Sequence, residues 1–220
     1  LFRRDQLEHL GFGTVNGPDG KPFKTRAGGT LRLADLNAMA LAEATQKISE
    51  TTLSGDIGPD EKDEIGRLVA RAALRFADLQ NQRTTNYVFD LERFTSFEGK
   101  TGPYLLYAVA RLKSLLRTAK ADGHEPGMIK IESQTERKLA LTLDGFTLAL
   151  NLARDKRMPH FICEHIYTLA QAFSAFYGAH PIAKEPDAPV RASRLGLCVA
   201  VLNQLETGLD LLGITAPERM

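Results

Sequence analysis

Three cationic side chains lie close together near the amino terminus, in a segment rich in glycine. Lys21, Lys24 and Arg26 fall within six residues, between Gly20 and the Gly28-Gly29 pair. Such a loop lets cationic groups approach phosphate oxygens and stabilise the charge that develops in phosphoryl or nucleotidyl transfer. The segment lacks the GxxxxGK followed by Ser or Thr that defines a Walker A loop. On spacing alone, a basic loop that only faces water is favoured over a nucleotide site.

A second group combines aromatic rings with a guanidinium. Tyr104, Tyr107 and Arg111 stand at positions i, i+3 and i+7, which places them on one face of a helix. Rings beside a cation can stack on unpaired bases and neutralise phosphate, as recognition of single-stranded RNA requires. Tyr177, at the end of a later helix and beside a loop, is a further candidate base platform. Taken alone, the pattern favours rings that pack in a bundle and expose only their hydroxyls.

Other kinds of site find little support in the sequence. The five histidines form no HxxxH or HExxH pair, and no GxSxG elbow marks a serine nucleophile. Cys163 and Cys198 are too far apart for a CxxC site, so no bound metal is predicted. Both cysteines lie in apolar helical patterns, and we predict that they are buried and reduced.

Composition indicates a globular protein with its own core, since 43% of the 220 residues are apolar. The net charge is only +1, so an RNA partner would be held by a local basic patch. No apolar run approaches the roughly 18 residues of a membrane span, and no signal-peptide pattern opens the chain. We therefore predict a cytoplasmic protein that does not contact a membrane.

The elements that position the basic loop read β, loop, α, α, β. A strand is predicted over His9–Val15 and a helix over Leu33–Ser49. A second helix is predicted from a cap at Asp60 to about Asn81, and a second strand over Asn86–Asp90. Glycine and proline between the first strand and first helix demand a loop there.

From about Ser96 onward the sequence predicts helices alone. One begins near Pro103 and ends near Lys120, and further helices are predicted over about 133–153, 159–178 and 190–212. In the third of these four, apolar residues recur at intervals of four and three, which is typical of a packing seam. They are Ile162, Ile166, Leu169, Phe173 and Phe176. We predict an antiparallel helix bundle for this half.

Six stretches, in order along the chain, resemble the arginyl-tRNA synthetases, which are class I aminoacyl-tRNA synthetases. They are DGKPFKTRAGGTLRLADL, ADLQNQRTTNYVFD, FTSFEGKTGPYLLYAVARLKSLLR, LAQAFSAFYGAHPI, VRASRLGLCVAV and GLDLLGITAPERM. The first looks like that family's variant of the KMSKS signature loop. The resemblance extends over essentially all 220 residues.

The resemblance implies a mainly α fold in two parts. Residues 1–95 would be the carboxy-terminal remnant of a Rossmann-type catalytic domain, with a region that contacts the tRNA stem, and residues 96–220 an all-α anticodon-binding bundle. Lys24 matches the signature lysine that contacts ATP phosphates, which makes Lys24 and its neighbour Lys21 the catalytic candidates. With Arg26 they would form the ATP-binding set.

The same resemblance assigns Tyr104, Tyr107, Arg111 and Tyr177 to contacts with the anticodon loop, and Met220 to packing against its bases. The implied activity is that of an arginine–tRNA ligase, which joins arginine to its tRNA through an arginyl-adenylate. The partner of this chain would be the tRNA for arginine. ATP, with magnesium, and arginine would bind only in the full-length enzyme, for which a monomer is expected.

Departures from the family pattern limit this expectation. The HxGH signature and the amino-terminal domain that reads the tRNA elbow are absent, and an opening at Leu1 is expected of a fragment that is inactive by itself. Alanines at Ala70 and Ala72 replace the family's usual glycines, and TTLSGDIGPDEKDE is unlike its relatives. The alternative is a helical RNA- or protein-interaction module, derived from a synthetase, that lacks ligase activity. The cysteinyl enzymes share a similar bundle, but PFKTR and FEGKTGPYLLYA resemble the arginyl family.

Overall fold

The computed structural model of the protein describes residues 2–3, 6–17, 19–22, 32–50 and 57–220. Within these ranges, two short strands and eight helices follow one another along the chain. They are β1 (Val15–Asn16), α1 (Leu33–Glu50), α2 (Pro59–Leu79), β2 (Tyr87–Val88), α3 (Leu91–Phe94), α4 (Gly102–Ala121), α5 (Gln134–Asp144), α6 (Phe146–Lys156), α7 (His160–Ala179) and α8 (Ala188–Leu211).

The amino-terminal part has the predicted order of strand, two helices and strand, with β1 and β2 paired in parallel. Parallel strands require a long crossover, which α1 and α2 supply. Both strands are shorter than predicted: of 9–15 only Val15 lies in β1 (Val15–Asn16), and 86–90 contracts to Tyr87–Val88. The ladder is short because a backbone amide next to β1 is bonded to a side chain. The Thr14 amide donates to the side-chain oxygen of Asn86 at 2.8 Å instead of to a backbone carbonyl.

The start of α2 differs from the prediction. The residue before the helix is Gly58, which provides no side-chain cap, and Pro59 opens the first turn. The predicted cap at Asp60 is wrong. Asp60 lies inside the first turn with Glu61, where a carboxylate stabilises the positive end of the helix dipole without capping an amide.

The single helix predicted over 133–153 is also wrong, because Gly145 divides it into α5 and α6. Glycine weakens a helix interior, and here its amide closes α5 with a tight bond to the carbonyl of Thr142 at 3.2 Å. The freed carbonyl of Leu143 accepts a hydrogen bond from the side chain of Gln204 at 2.8 Å. A partner on α8 thus stabilises the break.

The long helices of the carboxy-terminal part do not all alternate in direction. Lys100, just before α4, pairs with Glu164 near the start of α7, and Arg111 lies over Tyr177 near its end. α4 and α7 therefore run in the same direction, which corrects the antiparallel prediction for this pair. The reason is that α5 runs in the opposite direction and brings the chain back: it begins beside the end of α7 and ends near His165, close to the start of α7. α7 and α8 are antiparallel, since Ile166 packs against Gly208 near the end of α8.

The core lies between α4, α7 and α8 and continues to α2. The predicted seam of α7 is confirmed, because all five of its residues are buried. Helix α4 approaches α2 so closely that a Cβ at Gly102 would overlap the backbone of Ala72, so only glycine fits. Ala70 and Ala72 are themselves buried, and α2 accommodates their methyl groups.

The two cysteines confirm the prediction made for them, since both are free and buried. Burial in apolar surroundings raises the pKa of the Cys163 thiol to about 12. The same cause raises the pKa of the Cys198 thiol to about 12. None of the helices in the described ranges carries an apolar stretch of the length that a bilayer requires.

Candidate nucleic-acid interface

A cleft of about 460 Å³ opens at the carboxy end of α7. One wall is a face of α4, and the other is formed by the end of α7 and the connection from α7 to α8, which we call the α7–α8 loop (residues 180–187). The cleft is lined by Arg111, Ser114, Leu115, Thr118, Tyr177, His180, Pro181, Ile182, Ala183 and Lys184. Cationic, hydroxyl and aromatic groups therefore share one concave surface.

The structure brings together two of the predicted RNA-contacting residues. The guanidinium of Arg111 lies over the ring of Tyr177, with 3.9 Å between the guanidinium carbon and the ring centroid. The Tyr177 ring also packs against Phe173 at 5.8 Å between centroids, which fixes its orientation from the core side. A cation over an aromatic face is held by the quadrupole of the ring. The result is a flat, charged platform on which a base can stack and to which a phosphate can bind.

Tyr104 and Tyr107 lie on α4 outside the lining of this cleft, and both are half-buried. The ring of Tyr104 packs edge-on against Tyr167 at 5.7 Å, and its hydroxyl lies 3.5 Å from that of Ser174. Tyr104 therefore belongs to the α4–α7 contact and presents only part of its ring to solvent.

Met220 is half-buried against the core and is not part of the cleft lining. The preceding residues are held to the bundle by Lys113, whose ammonium lies 2.8 Å from Glu206 and 2.7 Å from Glu218. Burial lowers the pKa of Lys113, but the bonds to the two carboxylates outweigh it and the pKa is raised overall. Lys113 and Arg111 point to nearly opposite sides of α4, since two residues turn a helix by roughly 200°.

A buried ion-pair network lies behind the α7–α8 loop. Arg194 of α8 contacts Glu136 at 3.0 Å and Glu185 at 2.6 Å, and it also donates to the carbonyl of Pro181 at 3.0 Å. Burial raises the pKa of Glu136, but hydrogen bonds from two backbone amides and from Arg194 lower it by more than burial raises it. The pKa is therefore below its usual value. This carboxylate is therefore ionised at neutral pH.

The beginning of the loop is fixed separately. The Nε2 atom of His180 lies 3.0 Å from the hydroxyl of Ser133 and 2.7 Å from that of Thr135, at the start of α5. Ser133 also caps α5, because its hydroxyl accepts from the amide of Glu136 at 3.2 Å. The cleft wall is thus anchored to α5 as well as to α8.

Lys21, at the start of the basic loop, lies toward the other end of α7. Lys21 is exposed in a turn in which its carbonyl accepts from the amide of Gly17 at 2.9 Å, while Lys24 and Arg26 fall outside the described residues. Beside this turn is a cavity of about 620 Å³, lined in part by Thr14, Pro22 and Pro159. Pro159 immediately precedes α7, whose 20 residues span roughly 30 Å. That distance separates this cavity from the cleft.

Tyr87 lines the cavity and donates a hydrogen bond to Asp78 at 2.9 Å. Burial raises the pKa of the Tyr87 phenol, and the negative charge of Asp78 raises it further. Tyr87 is therefore a structural hydrogen-bond donor, not an acid that titrates near neutral pH. Among the described residues, no three His, Cys, Asp or Glu side chains converge as a metal site would need.

Several cleft residues were not identified from the sequence. Ser114 and Thr118 follow Arg111 at i+3 and i+7, so extending the helical face from Arg111 would have identified both. Lys184 and His180 come soon after Tyr177, but only the fold of the α7–α8 loop places them in the cleft. No local signal marks Arg194, because Glu136 is 58 residues away in sequence and its other partners belong to a loop whose fold the sequence does not show.

Two protein-family models match the chain. The model described as the DALR anticodon binding domain matches residues 105–220, which include the whole cleft lining. The model described as tRNA synthetases class I (R), catalytic domain, matches residues 3–91. Together they cover the two parts of the chain that differ in architecture.

Curated proteins and solved structures agree with the family models. The arginine–tRNA ligase of Hyphomonas neptunium is 63% identical over all 220 residues, and that of Maricaulis maris is 57% identical over the same length. The chain spans 37% of the length of each of these relatives. The structure of Thermus thermophilus arginyl-tRNA synthetase matches 96% of this chain and 35% of its own, with a TM-score of 0.83 and 33% identity. The chain therefore belongs to the arginyl-tRNA synthetase family and corresponds to its carboxy-terminal part, a class I catalytic segment followed by a DALR anticodon-binding domain.

Proposed function

We propose that this chain is the tRNA-binding part of an arginine–tRNA ligase and that the cleft at the end of α7 receives the anticodon loop. The observation that carries the proposal is the Arg111–Tyr177 platform, which lies in the region matching an anticodon-binding domain. An exposed guanidinium stacked on a ring offers a base both a flat surface and a positive charge. Lys184 and the hydroxyls of Ser114 and Thr118 add groups that bind phosphate or base edges.

Further contacts are proposed for the residues outside the cleft. The exposed part of the Tyr104 ring and the half-buried Tyr107 would extend the stacking surface along α4. Met220 would pack against a base from its own position at the end of the chain. These contacts would need the RNA to extend beyond the cleft, as the loop of a hairpin does.

In the complete enzyme, we propose that residues 1–95 contribute to the catalytic domain and residues 96–220 read the tRNA. Lys24, with Lys21 and Arg26, would stabilise the phosphates of ATP, which binds as its magnesium complex, while arginine forms an adenylate. Positively charged groups that are already in place lower the barrier without a covalent enzyme intermediate. The enzyme would act as a monomer in the cytoplasm.

The test is titration of the purified chain with the anticodon stem-loop of an arginine tRNA, followed by fluorescence anisotropy. A matched control RNA has the same stem and a loop of the same length, but the order of the loop nucleotides is shuffled. Its charge and length are therefore unchanged. We expect tighter binding of the arginine stem-loop. Equal binding of both RNAs, or of neither, by a folded chain would contradict the proposal and favour an interaction module without tRNA.

A second assay concerns the chemistry. We expect the isolated chain to give no arginine-dependent exchange of pyrophosphate into ATP, because stabilisation of a transition state needs all its donors around one substrate. The assay uses radiolabelled pyrophosphate with and without tRNA. Turnover clearly above a control without enzyme would show that the chain carries a complete site.

A further inference from the structure

The wall of the cleft formed by the α7–α8 loop depends on a residue that does not line the cleft. The loop contributes Pro181, Ile182, Ala183 and Lys184 to the lining, whereas Arg194 lies behind it. Of the Arg194 side chain, only 11% is exposed, so it is nearly inaccessible to an RNA in the cleft. Any effect of Arg194 on binding must therefore pass through the loop.

The contacts of Arg194 fall at both ends of the lining stretch. Its Nη1 atom donates to the carbonyl of Pro181 at 3.0 Å and to Oε2 of Glu185 at 2.6 Å. Its Nε atom donates to Oε1 of Glu136 at 3.0 Å, and Glu136 is only 3% exposed. One guanidinium thus ties the first and last residues of the 181–185 stretch to the rigid start of α5.

Arg191 of α8 also holds one end of this stretch, because its guanidinium donates to the carbonyl of Glu185. Ile182 is buried and anchors the middle of the stretch by its apolar side chain, without a directional bond. The Glu185 carboxylate accepts one hydrogen bond from the amide of Asp187 at 3.2 Å, but this bond lies within the loop itself. The amide of Glu185 donates to the carbonyl of Ile182 at 3.3 Å, which closes the turn but does not orient it. Arg194 differs because it joins both Pro181 and Glu185 to Glu136 of α5, and so sets where Lys184 lies.

We propose that Arg194 is a positioning residue for anticodon recognition, acting through Pro181 and Glu185 to hold the loop wall at the distance from Arg111 and Tyr177 that the anticodon loop requires. The proposal rests on the function proposed above for the same cleft. A displacement of roughly 1 Å in a binding group is enough to weaken recognition severely.

The geometry requires a guanidinium. Arginine presents donors in a planar fork, so that Nε and Nη1 bond different partners at fixed angles. A lysine at this position would keep the positive charge between the two carboxylates but has one nitrogen to serve three acceptors. Arg194→Lys therefore retains charge compensation in the interior and loses the fixed link from Glu136 to residues 181–185, while the separate anchor at His180 remains.

The experiment compares the chain with Arg194→Lys in binding to the arginine anticodon stem-loop and to the scrambled loop. We expect roughly tenfold weaker binding of the arginine stem-loop, little change for the scrambled RNA, and an unchanged salt dependence. A variant that only lowered the folded fraction would lose both RNAs in the same proportion. The matched control is Arg83→Lys. Arg83, like Arg194, donates to two backbone carbonyls, those of Gly11 and Arg157, but it lies near the amino end of α7.

A second variant keeps the proposal testable if Arg194→Lys does not fold. Glu185→Gln removes only the loop's charged link to Arg194, and we expect the same selective loss. Combining the two substitutions should weaken binding no more than either one, because both break one connection. If the parent chain discriminates between the RNAs and both folded variants do so equally well, the positioning role is wrong while the proposed function stands. If the parent does not discriminate, the proposed function fails and the positioning role with it.

Discussion

The two ends of α7 carry two concave surfaces of different construction. At the carboxy end, the cleft is built from one face of α4, one turn of α7 and a loop, and its lining includes the exposed side chains of Arg111 and Lys184. At the amino end, the cavity is built from residues 12–15 and 78–87 with two prolines, and its lining includes the hydrogen-bonded pair of Tyr87 and Asp78.

The difference suggests that the residues that bind RNA and the residues that stabilise the fold lie at different ends of α7. In the cleft, the polar residues Arg111, Ser114, Thr118 and Lys184 of the lining are exposed, while the buried ion pairs that fix its wall lie behind them. In the cavity, the polar groups of the lining are themselves structural. We therefore expect substitutions in the lining of the cleft to change RNA binding more than folding, and substitutions in the cavity to do the reverse.

The largest effect is expected from Lys24→Ala in the full-length enzyme. If Lys24 serves ATP, the aminoacylation rate should fall roughly 100- to 1,000-fold, the usual cost of one donor to a developing charge. The melting temperature should change little, because a long cation in a glycine-rich loop is normally solvated. Lys138→Ala, which removes an exposed lysine of α5, is the control. Normal turnover with a large loss of stability would assign Lys24 to folding instead.

Tyr177→Ala should weaken binding of the anticodon stem-loop by about 1–3 kcal/mol, which is the usual value of one base stack. The measurement is anisotropy titration, with circular dichroism to confirm the fold. Tyr177→Phe is the control, because it keeps the ring under Arg111 and should bind nearly as the parent does. If Tyr177→Ala remains folded and binds like the parent, the platform is not the reading surface.

Tyr87→Phe tests the opposite end of α7. Loss of the bond to Asp78 should lower the free energy of unfolding by about 1 kcal/mol and leave RNA binding unchanged. The pKa of Tyr87 is raised in the folded chain by burial and then by Asp78, so its contribution is present at neutral pH. That contribution should be lost as the pH rises above about 10, where the unfolded chain ionises first.

The measurement for Tyr87→Phe is urea unfolding at pH 7 and at pH 10 to 11. The difference in stability between parent and variant should shrink at the higher pH. Tyr167→Phe is the matched control, since the hydrogen-bond partner of the Tyr167 hydroxyl is the side-chain amide of Gln171 and not a carboxylate. A weaker affinity of Tyr87→Phe for the stem-loop would show that the cavity also contributes to RNA binding.

The smallest effect is expected from Arg111→Ala, and it should appear in the salt dependence of binding. Loss of one phosphate contact should reduce the slope of log K against log salt concentration by roughly 0.7 to 0.9. Arg71→Ala, on the exposed face of α2, is the control and should leave the slope unchanged. An unchanged slope for Arg111→Ala would mean that this guanidinium only supports the Tyr177 ring.

Much of this arrangement could be predicted from the sequence, because helical periodicity is a local property. The seam of α7, the burial of both cysteines and the order of elements in the amino-terminal part were all visible in the spacing of residues. The parallel direction of α4 and α7 could not be predicted, because it depends on α5 running in the opposite direction between them. Gln204 stabilises the break at Gly145 and Arg194 ties the loop wall to Glu136, and these two links join residues 61 and 58 positions apart in the sequence.

The burial of both thiols has a practical consequence for observing the cleft at work. Maleimides react with thiolate, and with a pKa of about 12 neither Cys163 nor Cys198 supplies any appreciable thiolate at neutral pH. A cysteine introduced at an exposed cleft position such as Ser114 or Lys184 would then be the reactive sulfur of the chain. A fluorophore attached there would report the arrival of RNA without removal of the native cysteines.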